Sequence, residues 1–330
     1  MRALGRAVGG LALLATTAWG GAALWIDGPG SRPLAGALAA GFAIATAGLA
    51  WRLRPAWRGF GAAALLFALL LAWWLSIEPR NDRDWLPDVA RLPTAAIDGD
   101  RVTISNVRNF HYRSETDYDE VWEERSYDLS DLTGVDMFLV YWGSPWIAHT
   151  IASWSFEDGR QLAVSIETRK ERGESYSALL GFFRQYEIYY VVADERDVVG
   201  LRAAHRGEQV YLYHLDTPAP TARATLLEYL RELNRLAERP RWYNAFSHNC
   251  TTAIRKHAQQ VAPKNPFDWR ILVNGKLDAL GYERGRIATG LPFEELRRRS
   301  DVTRAAAAAI DAPDFSARIR EGLPVPEDRR

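Results

Sequence analysis

Residues 146–169 read WIAHTIASWSFEDGRQLAVSIETR. Two runs rich in β-branched and aromatic residues flank Glu157-Asp158-Gly159, the pattern of a β-hairpin. One polar residue, His149, interrupts the apolar start of the first run, and the turn decides what it faces. A three-residue loop over 157–159, with Gly159 in the left-handed position such loops favour, pairs Phe156 with Arg160. His149 then stands opposite Glu167 on one face of the sheet, an imidazole beside a carboxylate. A two-residue Asp158-Gly159 turn instead sets His149 opposite Thr168 and turns Glu167 away. Glu167 has a plainer reading too, as a surface charge paired with Arg169 or Lys170.

Strand signals surround this hairpin. RVTISNVRNF and MFLVYW precede it, and YEIYYVVADE and EQVYLYHL follow. SYSALLGFFRQY reads as helical. TARATLLEYLRELNRLAER is an amphipathic helix with Leu226, Leu230, Leu233 and Leu236 at helical spacing, and a second helix begins around Cys250 and ends at Pro263. The acidic, tyrosine-rich stretch HYRSETDYDEVWEERSYDLSDL reads as a solvated loop or irregular edge, and the basic cluster ELRRRS as a solvated face. Strands, helix, strands and helices in that order predict an α+β domain with a mainly antiparallel sheet.

Ahead of this domain lie three apolar runs, from about Leu4 to Ile26, Pro33 to Trp51 and Gly59 to Ile77, each near the ~20 residues that cross a bilayer. Trp25, Trp51, Trp57, Trp73 and Trp74 fall at or near their ends, as in an aromatic belt. Arginines precede the first run, as in a signal peptide, but two further spans follow and it reads as an anchor. Arg2 and Arg6 before span one, and Arg52, Arg54 and Arg58 between spans two and three, place those segments in the cytoplasm. Three crossings deliver the rest to the far side, the periplasm if the source is bacterial. The expected divisions are a membrane region over 1–78, in the bilayer through residues 4–77, a charged, proline-containing linker over 79–101 and a periplasmic domain over 102–330.

The 330 residues contain one cysteine, in HNCTT at 248–252. It can form no intramolecular disulfide. In an oxidising compartment a free thiol is a liability unless buried or used. Cys250 falls at the first turn of a predicted helix that Asn249 or Ser247 could cap. Unpaired N–H groups and the positive end of the helix dipole favour a thiolate there and could hold an oxyanion. A thiol nucleophile also needs a base. His248 is two residues before it; His257, two turns on, is about 10 Å away along the axis; His111, His149, His205 and His214 are the others. The plain alternative is a cysteine packed in the core.

A strand histidine, a polar group on the next strand and an Asn249-Cys250 pair at a helix start resemble the circularly permuted NlpC/P60-like thiol fold, in which histidine precedes cysteine. Over a longer stretch, YRSETDYDEVWEERSYDL, YWGSPWIAHTIASWSF, SIETRKERGESYSALLGFFRQYE, YYVVADERDV and WYNAFSHNCTT resemble the Lnb-type periplasmic domain family, across roughly Asp84 to Pro324. That resemblance implies a membrane-associated thiol enzyme handling acyl groups, with Cys250 taking an acyl chain as thioester, His149 as general base and Glu167 orienting it. The Lnb name is associated with N-acylation of bacterial lipoproteins from a phospholipid donor.

Three functions follow as expectations: a thiol acyltransferase or lipid hydrolase of the inner membrane, a cell-wall peptidase or amidase with the same residues, and a non-catalytic periplasmic binding module. The first predicts an apolar groove beside Cys250, lined by aromatics from SYSALLGFFRQY. The second predicts a polar, acidic-walled cleft. The third predicts an inaccessible Cys250 with His149 far from it. Asn249 and the basic residues Arg169, Lys170 and Arg172 are candidate substrate contacts, the basic three for a phosphate headgroup; an ordinary charged loop is the alternative. The 41 basic and 41 acidic residues balance, which weighs against nucleic acid as a partner. No P-loop, GxGxxG, CxxC or HExxH occurs, and neither a cofactor nor a metal is expected.

Overall fold

The structure is a computed structural model that describes residues 2–245, 250–261, 266, 268–271, 273–287 and 290–325. Helices α1 (Arg2–Ile26), α2 (Arg32–Arg52) and α3 (Ala56–Leu75) account for the three apolar runs, and all three are long and apolar enough to span a bilayer. The chain divides into two units. One contains Met1–Arg80 with Ser175–Glu187 and Arg241–Ala245; the other contains the remaining residues.

In the first unit α1, α2 and α3 pack together around Ala23, Phe42, Leu70 and Phe183. Residues 175–186, expected as a helix, form only a 3₁₀ turn over Leu180–Phe182. Their backbone groups are satisfied elsewhere: Ala245 N donates to Gly181 O and Tyr243 N to Tyr186 O.

The second unit is α+β. Its strands are β1 (Thr94–Asp98), β2 (Arg101–Arg108), β3 (His111–Tyr112), β4 (Tyr118–Asp119), β5 (Trp122–Asp128), β6 (Leu132–Tyr141), β7 (Ala148–Phe156), β8 (Gln161–Arg169), β9 (Glu187–Ala193, its first residue counted with the other unit) and β10 (Gln209–His214). Its helices are α4 (Leu201–Ala204), α5 (Ala219–Glu238), α6 (Cys250–Val261), α7 (Leu277–Glu283), α8 (Phe293–Arg299), α9 (Thr303–Ala308) and α10 (Phe315–Arg318). Among the described residues the main sheet runs β1-β2-β9-β8-β7-β6-β10, with β5 also on β2. The β1–β2, β2–β5, β6–β7, β7–β8 and β6–β10 pairs are antiparallel, and β2–β9 is parallel through Arg108 and Ala193.

The three-residue loop is the one observed. Ile151 pairs with Ser165 and Trp154 with Leu162, Phe156 N donates to Arg160 O, and Gly159 has φ +83°, where a side chain would be strained. Alternation then sorts the sheet into two faces. Phe138, Val140, Ile151, Ala163, Val191, Val210 and Leu212 pack with Val198, Val199, Ala203 and Ala306, the layer of residues 196–204 and α9. On the opposite face the Trp154 ring lies 5.0 Å from Tyr229 of α5, and Tyr190 lies 5.9 Å from the same ring.

Two expectations meet a different outcome. Residues 79–101 include β1 and bury Trp85 and Val89 in the core. The polar stretch after His111 contains β3, β4 and β5, and Phe110 packs against Tyr112, Tyr118 and Trp122 at ring distances of 6.2, 5.2 and 5.1 Å. Beside that cluster Arg108 Nε and Nη2 donate to Asp197 Oδ1 at 2.9 and 2.7 Å, with Asp197 fully buried. Asp197 Oδ2 accepts from Phe110 N at 2.7 Å.

Asp197→Ala removes the counter-charge and leaves Arg108 buried and unpaired, a cost of about 3–5 kcal/mol. Thermal melting of the detergent-solubilised chain is expected to fall by on the order of 10 °C. Arg113→Ala, which breaks a surface pair with Asp117 and Asp119, is expected to leave the melting temperature unchanged.

Candidate functional site

The sequence ASWSF EDG RQLAV brings His149 and Glu167 to adjacent strands because Gly159 allows the tight three-residue turn. Between them stands Ser165, which sequence reasoning missed although the same register places it diagonally from His149. His149 Nε2 lies 2.6 Å from Ser165 Oγ, and Ser165 Oγ donates to Glu167 Oε1 at 2.6 Å. His149 Nε2 and Glu167 Oε1 are 3.7 Å apart. The hydroxyl has one proton, and an ionised carboxylate only accepts. His149 must therefore donate through Nε2, which puts the lone pair of its neutral ring on Nδ1.

Glu167 is also claimed from its other side. Arg202 Nη2 donates to Glu167 Oε1 at 2.9 Å, and Arg202 Nη1 to Glu208 Oε2 at 3.2 Å. Burial pushes the Glu167 carboxyl up, but the Arg202 charge, then His149, Arg108 and the Ser165 bond outweigh it, and the group stays well below the usual carboxylate range. For His149 burial acts first and the Arg202 charge adds to it. Glu167 opposes both, and the imidazole is pulled down from 6.5 to about 3. His149 is thus neutral throughout the physiological range.

Cys250 is the first residue of α6, a helix of 12 residues. Its side chain lies outside the described residues, as do Asn249 and His248. Further along α6, His257 is buried, with Nε2 2.9 Å from Tyr190 Oη and its ring 4.3 Å from that of Tyr229. Helix α6 therefore covers the Trp154 and Tyr190 face. His149, five residues before Trp154 on an unbroken strand, faces the other way, toward α4. Thr150, which shares the α6 face, is buried, and its hydroxyl has no partner among the described residues.

The basic residues part company. Arg169 is buried: Nε donates to Val89 O at 2.9 Å, Nη2 to Ala90 O at 2.8 Å, and the guanidinium stacks 4.2 Å over Trp85. It anchors residues 81–90 and presents nothing to a headgroup. Lys170 is half-buried, and Arg172 is exposed with Nε 3.1 Å from Asp84. The aromatics of residues 175–187 belong to the membrane unit. At the end of the sheet where β7 begins, a cavity of about 500 Å³ is lined by Tyr141, Trp142, Arg206, Glu208 and Arg297. Arg297 stacks over Tyr141 and Tyr211 at 5.6 and 5.1 Å, so this part of the basic cluster is packed and not free in solvent.

Three apolar helices followed by this α+β unit define an inner-membrane protein with a periplasmic C-terminal domain. Residues 118–275, behind the three helices, match the family model described as the Lnb N-terminal periplasmic domain. No curated protein and no solved structure matches the chain.

The low-lying His149 makes a testable contribution to stability. The folded chain keeps the ring neutral down to about pH 3, whereas the unfolded chain takes up a proton near 6.5. This contribution is complete above pH 6.5 and is lost as pH falls toward 3. Melting temperatures at pH 7.5, 6.0 and 5.0 are expected to fall less steeply in His149→Gln than in the wild type. Parallel slopes would show that His149 titrates normally in the fold.

Proposed function

We propose that the chain is a periplasmic thiol enzyme of acyl transfer, tethered to the membrane that supplies its substrate. Cys250 is the nucleophile, a phospholipid ester the acyl donor, and a lipoprotein amine or water the acceptor. The observation that carries the reading is the place of Cys250 as the residue that opens α6. The helix dipole and the free N–H groups of a first turn favour a thiolate and a developing oxyanion. The family match and the three apolar helices support a site that works at a bilayer.

In the proposed cycle His149 takes the thiol proton on Nδ1, held in that tautomer by Ser165 and, through it, by Glu167. The thiolate adds to the ester carbonyl; the tetrahedral intermediate collapses, and the lysophospholipid alkoxide leaves with the proton. Attack by an amine or water on the thioester frees the thiol in a ping-pong sequence. Lys170 and Arg172 are the basic residues left for a headgroup, with Asn249 beside the nucleophile.

A second reading has an observation of its own. His149 faces α4 whereas α6 covers the other face, and this arrangement favours a non-catalytic periplasmic binding module in which the His149 network is structural. A cell-wall peptidase or amidase shares Cys250 with the first reading and differs in substrate.

Intact mass of the detergent-purified chain after incubation with phospholipid vesicles separates these readings. A hydroxylamine-labile fatty-acyl adduct is expected on the wild type and absent from Cys250→Ser. His149→Gln is expected to slow its formation by about 10²-fold or more, the usual scale of general-base loss. No adduct, with Cys250 unreactive to alkylation until the chain unfolds, would establish the binding module. A reactive thiol without an acyl adduct would move the assignment to the peptidase.

A further inference from the structure

Arg184 occupies an unusual position in the membrane unit. Asp27 directly follows α1, and its carboxylate gathers three donors: Trp74 Nε1 at 2.6 Å, Gln185 Nε2 at 2.9 Å and the backbone N of Arg184 at 3.2 Å. These bonds seat residues 184–185 against the ends of α1 and α3. The Phe183 ring lies 6.4 Å from that of Trp19, inside the last two turns of α1. Leu179, Phe182 and Tyr176 of the same segment are exposed, at 67%, 46% and 49%. The segment thus presents apolar side chains beside the outer turns of the spans, where headgroups meet acyl chains.

Asp27 takes the backbone N–H of Arg184, and the guanidinium makes no ion pair with a carboxylate among the described residues. It stacks 4.3 Å from the centre of Trp74 and 5.8 Å from that of Trp242. Its Nε is buried and has no hydrogen-bond partner among the described residues. Burial lowers the pKa of the group, and the Asp27 charge offsets that only in part. A half-buried guanidinium held between two indoles, with no anion of matching forked geometry among the described residues, suits a phosphodiester, which supplies one.

We infer that Arg184, between Trp74 and Trp242, binds the phosphate of a phospholipid headgroup in the outer leaflet, with the lipid chains lying against Leu179 and Phe182. This site lies within the membrane unit and does not depend on thiol chemistry, so its test is made in the Cys250→Ser background.

Native mass spectrometry of that full-length protein in detergent would follow retained lipid during titration with phosphatidylglycerol, diacylglycerol or inorganic phosphate. Phosphatidylglycerol is expected to bind, diacylglycerol to bind at least about tenfold more weakly, and inorganic phosphate to displace the lipid only at high concentration. Arg184→Gln is expected to weaken phosphatidylglycerol about tenfold with an unchanged melting temperature, Arg184→Lys to retain part of the affinity, and Arg113→Gln, at an exposed pair with Asp117 and Asp119, to change nothing. Equal retention of phosphatidylglycerol by wild type, Arg184→Gln and Arg184→Lys would overturn the site. Equal binding of diacylglycerol would remove the phosphate contact, and phosphate alone binding as tightly as the lipid would overturn the headgroup assignment.

Discussion

Arg108 and Asp197 meet with both side chains almost wholly withdrawn from water, and the same device recurs across that face of the sheet. Arg202 holds Glu167. Arg320 spans Asp136 and Glu195, while His214 Nδ1 bonds Asp136 at 2.7 Å and Ser153 bonds Glu195 at 2.6 Å. Such pairs return little net stability over an apolar core, because desolvation consumes most of the attraction. Their effect is on placement. A segment displaced by one residue would leave two charges buried without partners, so residues 194–204 and the C-terminal segment around Arg320 have one seat each.

The same arrangement governs the chemistry open to His149. Arg202 fixes Glu167, Glu167 takes the Ser165 proton, and Ser165 can then only accept from Nε2. The tautomer is set three residues away from the ring. Burial and the cationic neighbour keep the imidazole neutral, which suits a proton acceptor but gives it little basicity. Strand alternation is equally strict: a side chain an odd number of residues from Trp154 on β7 faces α4 and not α6. Any thiol chemistry at Cys250 therefore turns on the first turn of α6 and on what lies over the start of β7.

Local signals carried much of this. The hairpin was readable, but its register stayed open between a two- and a three-residue turn; the pairing of Ile151 with Ser165 and Gly159 at φ +83° select the three-residue loop, which sets Glu167 across from His149 and Ser165 between them. Helix α5 followed from its leucine spacing, α6 from the run that begins around Cys250 and ends at Pro263, the spans from length and apolarity, and their direction from arginine placement. Other features were hidden because their partners are distant in sequence. Phe110, Tyr112 and Tyr118 sit in a stretch that is mostly polar, and only their mutual stacking makes it structure. Arg169 stands in a charged run that reads as solvent-facing, yet the carbonyls of Val89 and Ala90 claim it. Residues 175–186 have helical composition, but Phe183 is drawn to Trp19, and the backbone bonds go to residues 243 and 245, so no helix propagates.

In the membrane unit one carboxylate has a comparable influence. Asp27 lies just beyond the C-terminal end of α1, where the helix dipole is negative and disfavours another negative charge. It is tolerated because three N–H groups converge on it, and two of them come from residues 184 and 185. Satisfying Asp27 is thus what docks the 175–187 segment on the spans. Because the bond from Arg184 comes from its backbone, the side chain is left to the indoles of Trp74 and Trp242. The position of the guanidinium follows from the hydrogen-bond needs of a residue 157 positions away in the chain.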